Sequence, residues 1–259
     1  MRSGNVAECR QALASASPDE LPALIAALES DARNGVQAAI QSARRRLDAH
    51  LCEHERLDRL LELERSLRHQ GYSLIAGVDE VGRGALAGPV TAAAAILPDT
   101  AVIEGLNDSK RLTPQRREAI SEEIRAVAVA WHIAHVSSGE IDTIGIAHAV
   151  RRAMTLAVGA LDPAADHVIV DGRPVNIGPV ETAVVDGDAN CAAIAAASVI
   201  AKVARDSLMV EYDRRYPGYS FGINKGYGTS EHLKIIAERG LCEIHRRSFA
   251  PCGGTLPLF

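Results

Sequence analysis

Three apolar runs in this chain stop on acids: Val78-Asp79-Glu80, Val168-Ile169-Val170-Asp171-Gly172 and Val184-Val185-Asp186-Gly187-Asp188. Carboxylates crowded at one place repel unless a proton or a divalent cation lies between them. In sheet proteins, sites form where strands end, because the loops there converge. Asp79, Glu80, Asp171 and Asp188 together would make an oxygen-only cage for a hard cation, which favours Mg2+ or Mn2+ over zinc. One or two such ions can activate a water and stabilise the leaving oxygen of a phosphodiester. Asp-Gly is also a common turn dipeptide, and for one such pair alone the turn reading wins. Acids ending three separate runs, one of them a carboxylate pair, favour the metal site.

Asp79 and Glu80 lead directly into Gly82-Arg83-Gly84. Side chains alternate along a strand, so adjacent acids point to opposite faces. Both reach one centre only where the strand frays or bends, a freedom that the glycines supply. The backbone N–H groups of such a turn can approach a phosphate or a sugar closely, and Arg83 adds charge. No Walker or dinucleotide-binding glycine pattern is present, which argues against a nucleotide-binding module.

These acids need elements to hold them. Residues 71–259 read as short strands and helices: strands near Ser73–Asp79, Val90–Leu97, Val127–Val136, His167–Asp171 and Thr182–Asp186, with a helix opening at Thr113-Pro114. The Ser137-x-x-Glu140 capping box starts another helix running to about Leu161, and a long helix with a small-residue face covers Cys191 to Arg215. Short links between the first strands predict antiparallel pairing, and later alternation with helices predicts a mixed α/β sheet flanked by helices. Residues 1–70 read as a helical N-terminal extension. Ser17-Pro18-Asp19-Glu20 gives one helix start, and a second helix runs from about Asn34 to Leu67. Arg44-Arg45-Arg46 on that helix is either a solvated face or a phosphate-contacting arm.

Composition narrows the class. The chain has 259 residues, 47% hydrophobic, with a formal net charge of −5 and 3% aromatics. So few aromatics argue against binding single strands by base stacking. A net negative chain binds nucleic acid only through local basic clusters. Five dispersed cysteines without a CxxC pair fit a reducing cytoplasm. Cys242, His245 and Cys252 match no usual zinc spacing. The apolar runs are too short to cross a membrane, and no leader is read at the N-terminus.

The ordered blocks make the chain similar to the bacterial ribonuclease HII family. They are Asp79-Glu80-Val81-Gly82-Arg83-Gly84, Leu86-Ala87-Gly88-Pro89-Val90, Leu106-Asn107-Asp108-Ser109-Lys110, Val170-Asp171-Gly172, Gly187-Asp188, Ile194 to Val203, Arg205-Asp206, Lys225 to Thr229 and His245 to Phe249. The resemblance implies a ribonuclease H-like fold with C-terminal helices. It also implies cleavage of the RNA strand of RNA–DNA hybrids and incision 5′ of single ribonucleotides in duplex DNA, leaving 3′-hydroxyl and 5′-phosphate ends. Such a nuclease would serve ribonucleotide excision repair, and a monomer is expected.

The four carboxylates fall on the family's metal-binding acids. Gly82, Arg83 and Gly84 fall where the family reads the ribose 2′-hydroxyl, and Tyr227 where it packs on the sugar beside the scissile junction. Asn107, Ser109 and Lys110 form either a polar turn or a phosphate contact. Ser198 and Lys202, four apart, share a helix face as further candidate substrate contacts. Many members carry lysine where this chain has Asp186, and the N-terminal extension resembles one found in some Gram-positive members. Rival readings are another nuclease on the same sheet, such as a transposase or Holliday-junction enzyme, and a non-catalytic hybrid binder.

Overall fold

The computed structural model describes residues 4–178 and 180–253. Its elements are α1 (Val6–Ser15), α2 (Leu21–Leu28), α3 (Asn34–Leu60), α4 (Glu62–His69), β1 (Ile75–Val81), β2 (Val90–Ile96), α5 (Pro114–Val127), β3 (Ala130–Val136), α6 (Ser138–Ile144) and α7 (Ile146–Gly159). Next come β4 (His167–Asp171), β5 (Glu181–Val184), α8 (Gly187–Asn190), α9 (Ala192–Arg215), α10 (Phe221–Asn224), α11 (Ser230–Arg239) and a 3-10 turn at Ala250–Cys252. Two compact units divide between Asp58 and Arg59.

In the first unit, Cys9, Leu13, Leu21, Ile25, Val36 and Ile40 form the core. Arg46 donates to the carbonyls of Leu13, Ala14 and Ala16, closing the end of α1. Arg44 pairs with Glu29 at 2.6 Å. Two members of the triple-arginine run thus have partners within their own unit. The expected helix start at Ser17 is instead a turn, in which Glu20 accepts from the Ser17 amide and hydroxyl. The helix begins at Leu21, with Pro22 in its first turn.

The second unit is built on a five-stranded sheet in the order β3-β2-β1-β4-β5. β1 pairs antiparallel with β2 and parallel with β4; β3 joins β2 antiparallel and β5 joins β4 parallel. The mixed α/β sheet covered by helices is the expected architecture. One face packs on α6 and α7 through Val78, Ala92, Ala94, Val170, Ala153 and Met154, among others. On the other face, Ile75 and Ile169 meet Ala193 and Ile194 of α9. α9 comes so close that a Cβ at Gly77 would lie 2.0 Å from the Ala193 carbonyl carbon. The glycine in β1 and the alanines of α9 are therefore one packing solution.

Local signals located most elements well. Thr113 caps α5, with Pro114 in its first turn, and Ser137 and Glu140 form the expected capping box. The helix expected to continue to Leu161 breaks at Gly145, whose φ is +79°, and α7 restarts from there. Among the described residues, no helix is long and apolar enough to cross a membrane.

Candidate active site

β1 carries Asp79 and Glu80 into the sheet's carboxyl end. Its ladder with β2 continues to Val81 opposite Thr91, whereas its pairing with β4 stops at Val78 opposite Val170. The strand is released only on the β4 side, and it does not fray between the two acids as the glycine-rich turn suggested. Alternation therefore persists. Asp79 lies on the α9 face against Ser198, while Glu80 lies on the α7 face, in a hollow shared with Val150, Met154, Asp171 and Arg173. Asp171, one residue beyond the β1–β4 pairing, is the charged neighbour of both.

Asp171 Oδ1 accepts from Gly187 N at 2.7 Å, which fixes the turn into α8. Asp186 holds that turn at φ +53°, and Asp188 follows in α8. Asp188 Oδ2 lies 3.0 Å from Lys110 Nζ. Burial pushes the Asp79 carboxyl up to about 8, helped by Glu80 and Asp171. Burial likewise raises Glu80 and Asp171, although Arg83 Nη1, 3.7 Å from Glu80 Oε1, opposes the shift there. Among the described residues, no three His, Cys, Asp or Glu side chains are gathered closely enough to hold a metal ion as they stand. The donor set still suits a hard cation: it is all oxygen and partly buried, and burial drives Asp79, Glu80 and Asp171 toward protonation.

Other candidates fall around this centre. Ser109 and Ser198, both 4% exposed, are hydrogen-bonded to each other at 3.0 Å and anchor the turn carrying Lys110 to α9. Asn107 Oδ1 accepts from Asp108 N within that turn. Lys202 reaches an acid: its Nζ lies 2.7 Å from Asp206 Oδ1. Tyr227 is half-buried, with Lys202 Nζ 6.0 Å and the Arg205 guanidinium 5.4 Å from its ring centre. Its segment is stitched to the Gly82–Gly84 loop, because Leu86 N and Ala87 N both donate to Gly226 O. Gly226 has φ +80°, and a Cβ there would meet Ala87 O at 2.3 Å.

Sequence reading assigned no role to four further residues here. His232 and His245 form a buried chain behind Tyr227. Cys242 N donates to His245 Nδ1 at 3.0 Å, so the His245 proton sits on Nε2 and points at His232 Nε2, 3.1 Å away. That leaves His232 Nδ1–H for Tyr227 O at 2.9 Å. Burial lowers the affinity of both rings for a second proton, His245 down to about 4. Arg205 and Arg246 are the other two, both 0% exposed. The only sequence signal for Arg205, His245 and Arg246 is their place in the family-like blocks, and His232 falls in none of them.

Solved structures share this architecture. Ribonuclease H2 from Pyrococcus horikoshii OT3 superposes with a TM-score of 0.61 at 24% identity, over 70% of this chain and 95% of its own. The PCNA:RNase HII complex from Archaeoglobus fulgidus gives 0.57 at 23% identity, over 67% and 93%. The fold is therefore that of the ribonuclease H2 type. Sequence narrows the class. The Ribonuclease HII family pattern matches residues 76–252, and that of the Ribonuclease HII N-terminal domain matches residues 5–68. A Ribonuclease HII of Geobacillus kaustophilus (strain HTA426) is 50% identical over 224 residues, 86% of each chain. The chain belongs to the Ribonuclease HII family: it is a ribonuclease H, a hydrolase acting as a nuclease.

Proposed function

We propose that the chain is a divalent-metal-dependent endonuclease acting in the cytoplasm. In this reading it cleaves the RNA strand of RNA–DNA hybrids and incises duplex DNA 5′ of a single ribonucleotide, leaving 3′-hydroxyl and 5′-phosphate ends. The observation that carries the reading is the adjacency of two features. Acids of β1, β4 and α8 lie at one end of the sheet, and the loop that follows the glycine turn is bonded to the Tyr227 segment. Five free cysteines suit a reducing compartment.

Asp79, Glu80, Asp171 and Asp188 are the residues that would hold Mg2+ or Mn2+. When bound, the cation supplies an activated water and charge stabilisation at the phosphodiester. Lys110 has a mostly exposed side chain that caps Asp188 and can turn from it to a substrate phosphate. Ser198 holds Asp79 in place against α9. The peptide groups of Gly82, Arg83 and Gly84 suit a 2′-hydroxyl, which both donates and accepts and distinguishes RNA from DNA. Tyr227 provides the flat surface for the neighbouring sugar. Lys202 and Arg83 add positive charge along the strand's path, against the net negative charge of the chain.

The test is a cleavage assay on end-labelled duplexes with Mg2+ and Mn2+ compared. A duplex with one ribonucleotide should be cut once, on its 5′ side, to an end that a polymerase extends. A uniform hybrid should be cut in its RNA strand, and an all-DNA duplex should survive. Equal cutting of the all-DNA duplex would point to a different nuclease. Binding without cleavage in either metal would point to a hybrid-binding protein.

A further inference from the structure

Two guanidinium groups lie wholly buried beneath the glycine turn, and neither has a carboxylate partner among the described residues. Arg205, on α9, donates from Nε to Pro89 O (3.0 Å), from Nη1 to Lys225 O (2.9 Å) and from Nη2 to Ala87 O (3.2 Å). Arg246 donates from Nε to Gly88 O (3.0 Å) and from Nη1 to Arg83 O (2.9 Å), its guanidinium lies 5.2 Å from the Phe249 ring centre, and its buried Nη2 has no hydrogen-bond partner among the described residues. The nearest acids are committed elsewhere. Asp206 holds Lys202, and Asp142 accepts from the amides of Arg247 and Ser248 and from the Ser248 hydroxyl. Burying two like charges without a counter-ion is costly and calls for a reason.

The acceptors supply the reason. All five carbonyls belong to the turn, to the loop behind it, or to the residue two before Tyr227. A trans peptide is planar, with its C=O and N–H pointing in opposite directions. When Arg246 draws the Arg83 carbonyl inward, the N–H of Gly84 in the same peptide must point outward. Gly84 is exposed, and a Cβ built on it would meet nothing within 4 Å. Arg205 similarly fixes Lys225 and packs so closely under Gly82 that a Cβ there would lie 2.1 Å from its Nε. A carboxylate counter-ion would place negative charge directly beneath the path of a polyanion, whereas the unpaired guanidiniums leave positive potential there.

We propose that Arg246 and Arg205 are positioning residues that set ribose preference. Arg246 aims the Gly84 N–H through the Arg83 carbonyl, and Arg205 locks that turn to the Tyr227 segment. Their shared charge serves affinity for any nucleic-acid duplex. The inference rests on the ribose-reading role proposed above. Lysine in place of either arginine keeps the charge but loses the planar fork that spans several carbonyls.

The experiment measures affinity in EDTA for a duplex with one ribonucleotide and for the same duplex in all-DNA form. Wild type, Arg246→Lys and Arg246→Gln are compared, with melting curves to confirm folding. Arg246→Lys should bind all-DNA duplex within twofold of wild type while losing at least tenfold of the ribonucleotide preference. Arg246→Gln should lose both that preference and all-DNA affinity. A folded Arg246→Lys that keeps the wild-type preference overturns this inference alone. Absence of any preference in wild type overturns the reading of the site itself.

A second measurement needs no variant. In the wild-type protein, the Gly84 amide and Arg246 Nε–H resonances should shift together on adding the ribonucleotide duplex and stay put with all-DNA. A Gly84 shift with Arg246 unmoved overturns the proposal.

Discussion

Under the proposed metal-binding role, Asp79 faces two opposed demands: it would have to be ionised to hold a cation, yet it is buried beside Glu80 and Asp171. Its folded-state carboxyl is pushed up to about 8, against 3.8 for an ordinary aspartate. Between those values the folded protein holds a proton that the unfolded chain has released. Stability is therefore full at the acid end and falls as pH rises through the window. Asp79→Asn removes that loss. Metal-free Asp79→Asn should match wild type in Tm near pH 4, gain over it as pH rises, and level off above about pH 8. Mg2+ or Mn2+ should raise the Tm of wild type but much less that of the variant, whose cleavage should fall at least about a hundredfold. A Tm difference independent of pH would show that Asp79 does not carry the raised affinity for a proton. Residue identities were legible here, since an acid ending an apolar run stands out in any sequence. Their facing was not. Glu80 stays on the opposite side of the sheet because the β1–β2 ladder runs on to Val81.

At the scale of elements, α9 connects the two halves of the site, with Asp188 just before it and Ser198, Lys202 and Arg205 along it. Its first residues have no side-chain cap of their own. Glu64 of α4 supplies one: its Oε1 accepts from Ala193 N at 2.8 Å and from Cys191 Sγ at 3.4 Å, at 2% exposure. Glu64→Ala should destabilise the protein by about 1–3 kcal/mol in chemical denaturation, and Glu64→Gln, which keeps an acceptor oxygen, by clearly less. Equal losses for the two would assign the effect to packing rather than capping. Caps formed by neighbours in sequence, at Thr113 and Ser137, were readable because both partners lie within one turn. The cap of α9 was not, because its donor and acceptor lie 129 residues apart. α1 also escaped, since its capping box of Asn5 and Glu8 precedes a run with only weak apolar periodicity.

For the molecule as a whole, the division between Asp58 and Arg59 places α4 in the same unit as the sheet. α4 is held there by Glu64, by Leu67 in the core with Ile75 and Ile194, and by Arg68 donating to Leu97 O. A chain beginning at Arg59 should fold and retain ribonuclease activity. One beginning at Gly71 loses the α9 cap and should melt at a markedly lower temperature. Similar melting of the two truncated chains would remove α4 from the catalytic core.

Local rules were enough to place the strands and the starts of α3, α5, α6 and α9, and to single out the four acids as candidates, because periodicity, caps and turn residues act over a few positions. The family likewise follows from blocks readable in order. Tertiary structure alone decided which face each acid takes, which helix end Glu64 serves, and that Arg205 and Arg246 lie under the Gly82–Gly84 turn. Those outcomes depend on contacts between residues far apart in the chain, and no short-range pattern encodes which distant carbonyl a buried guanidinium will find.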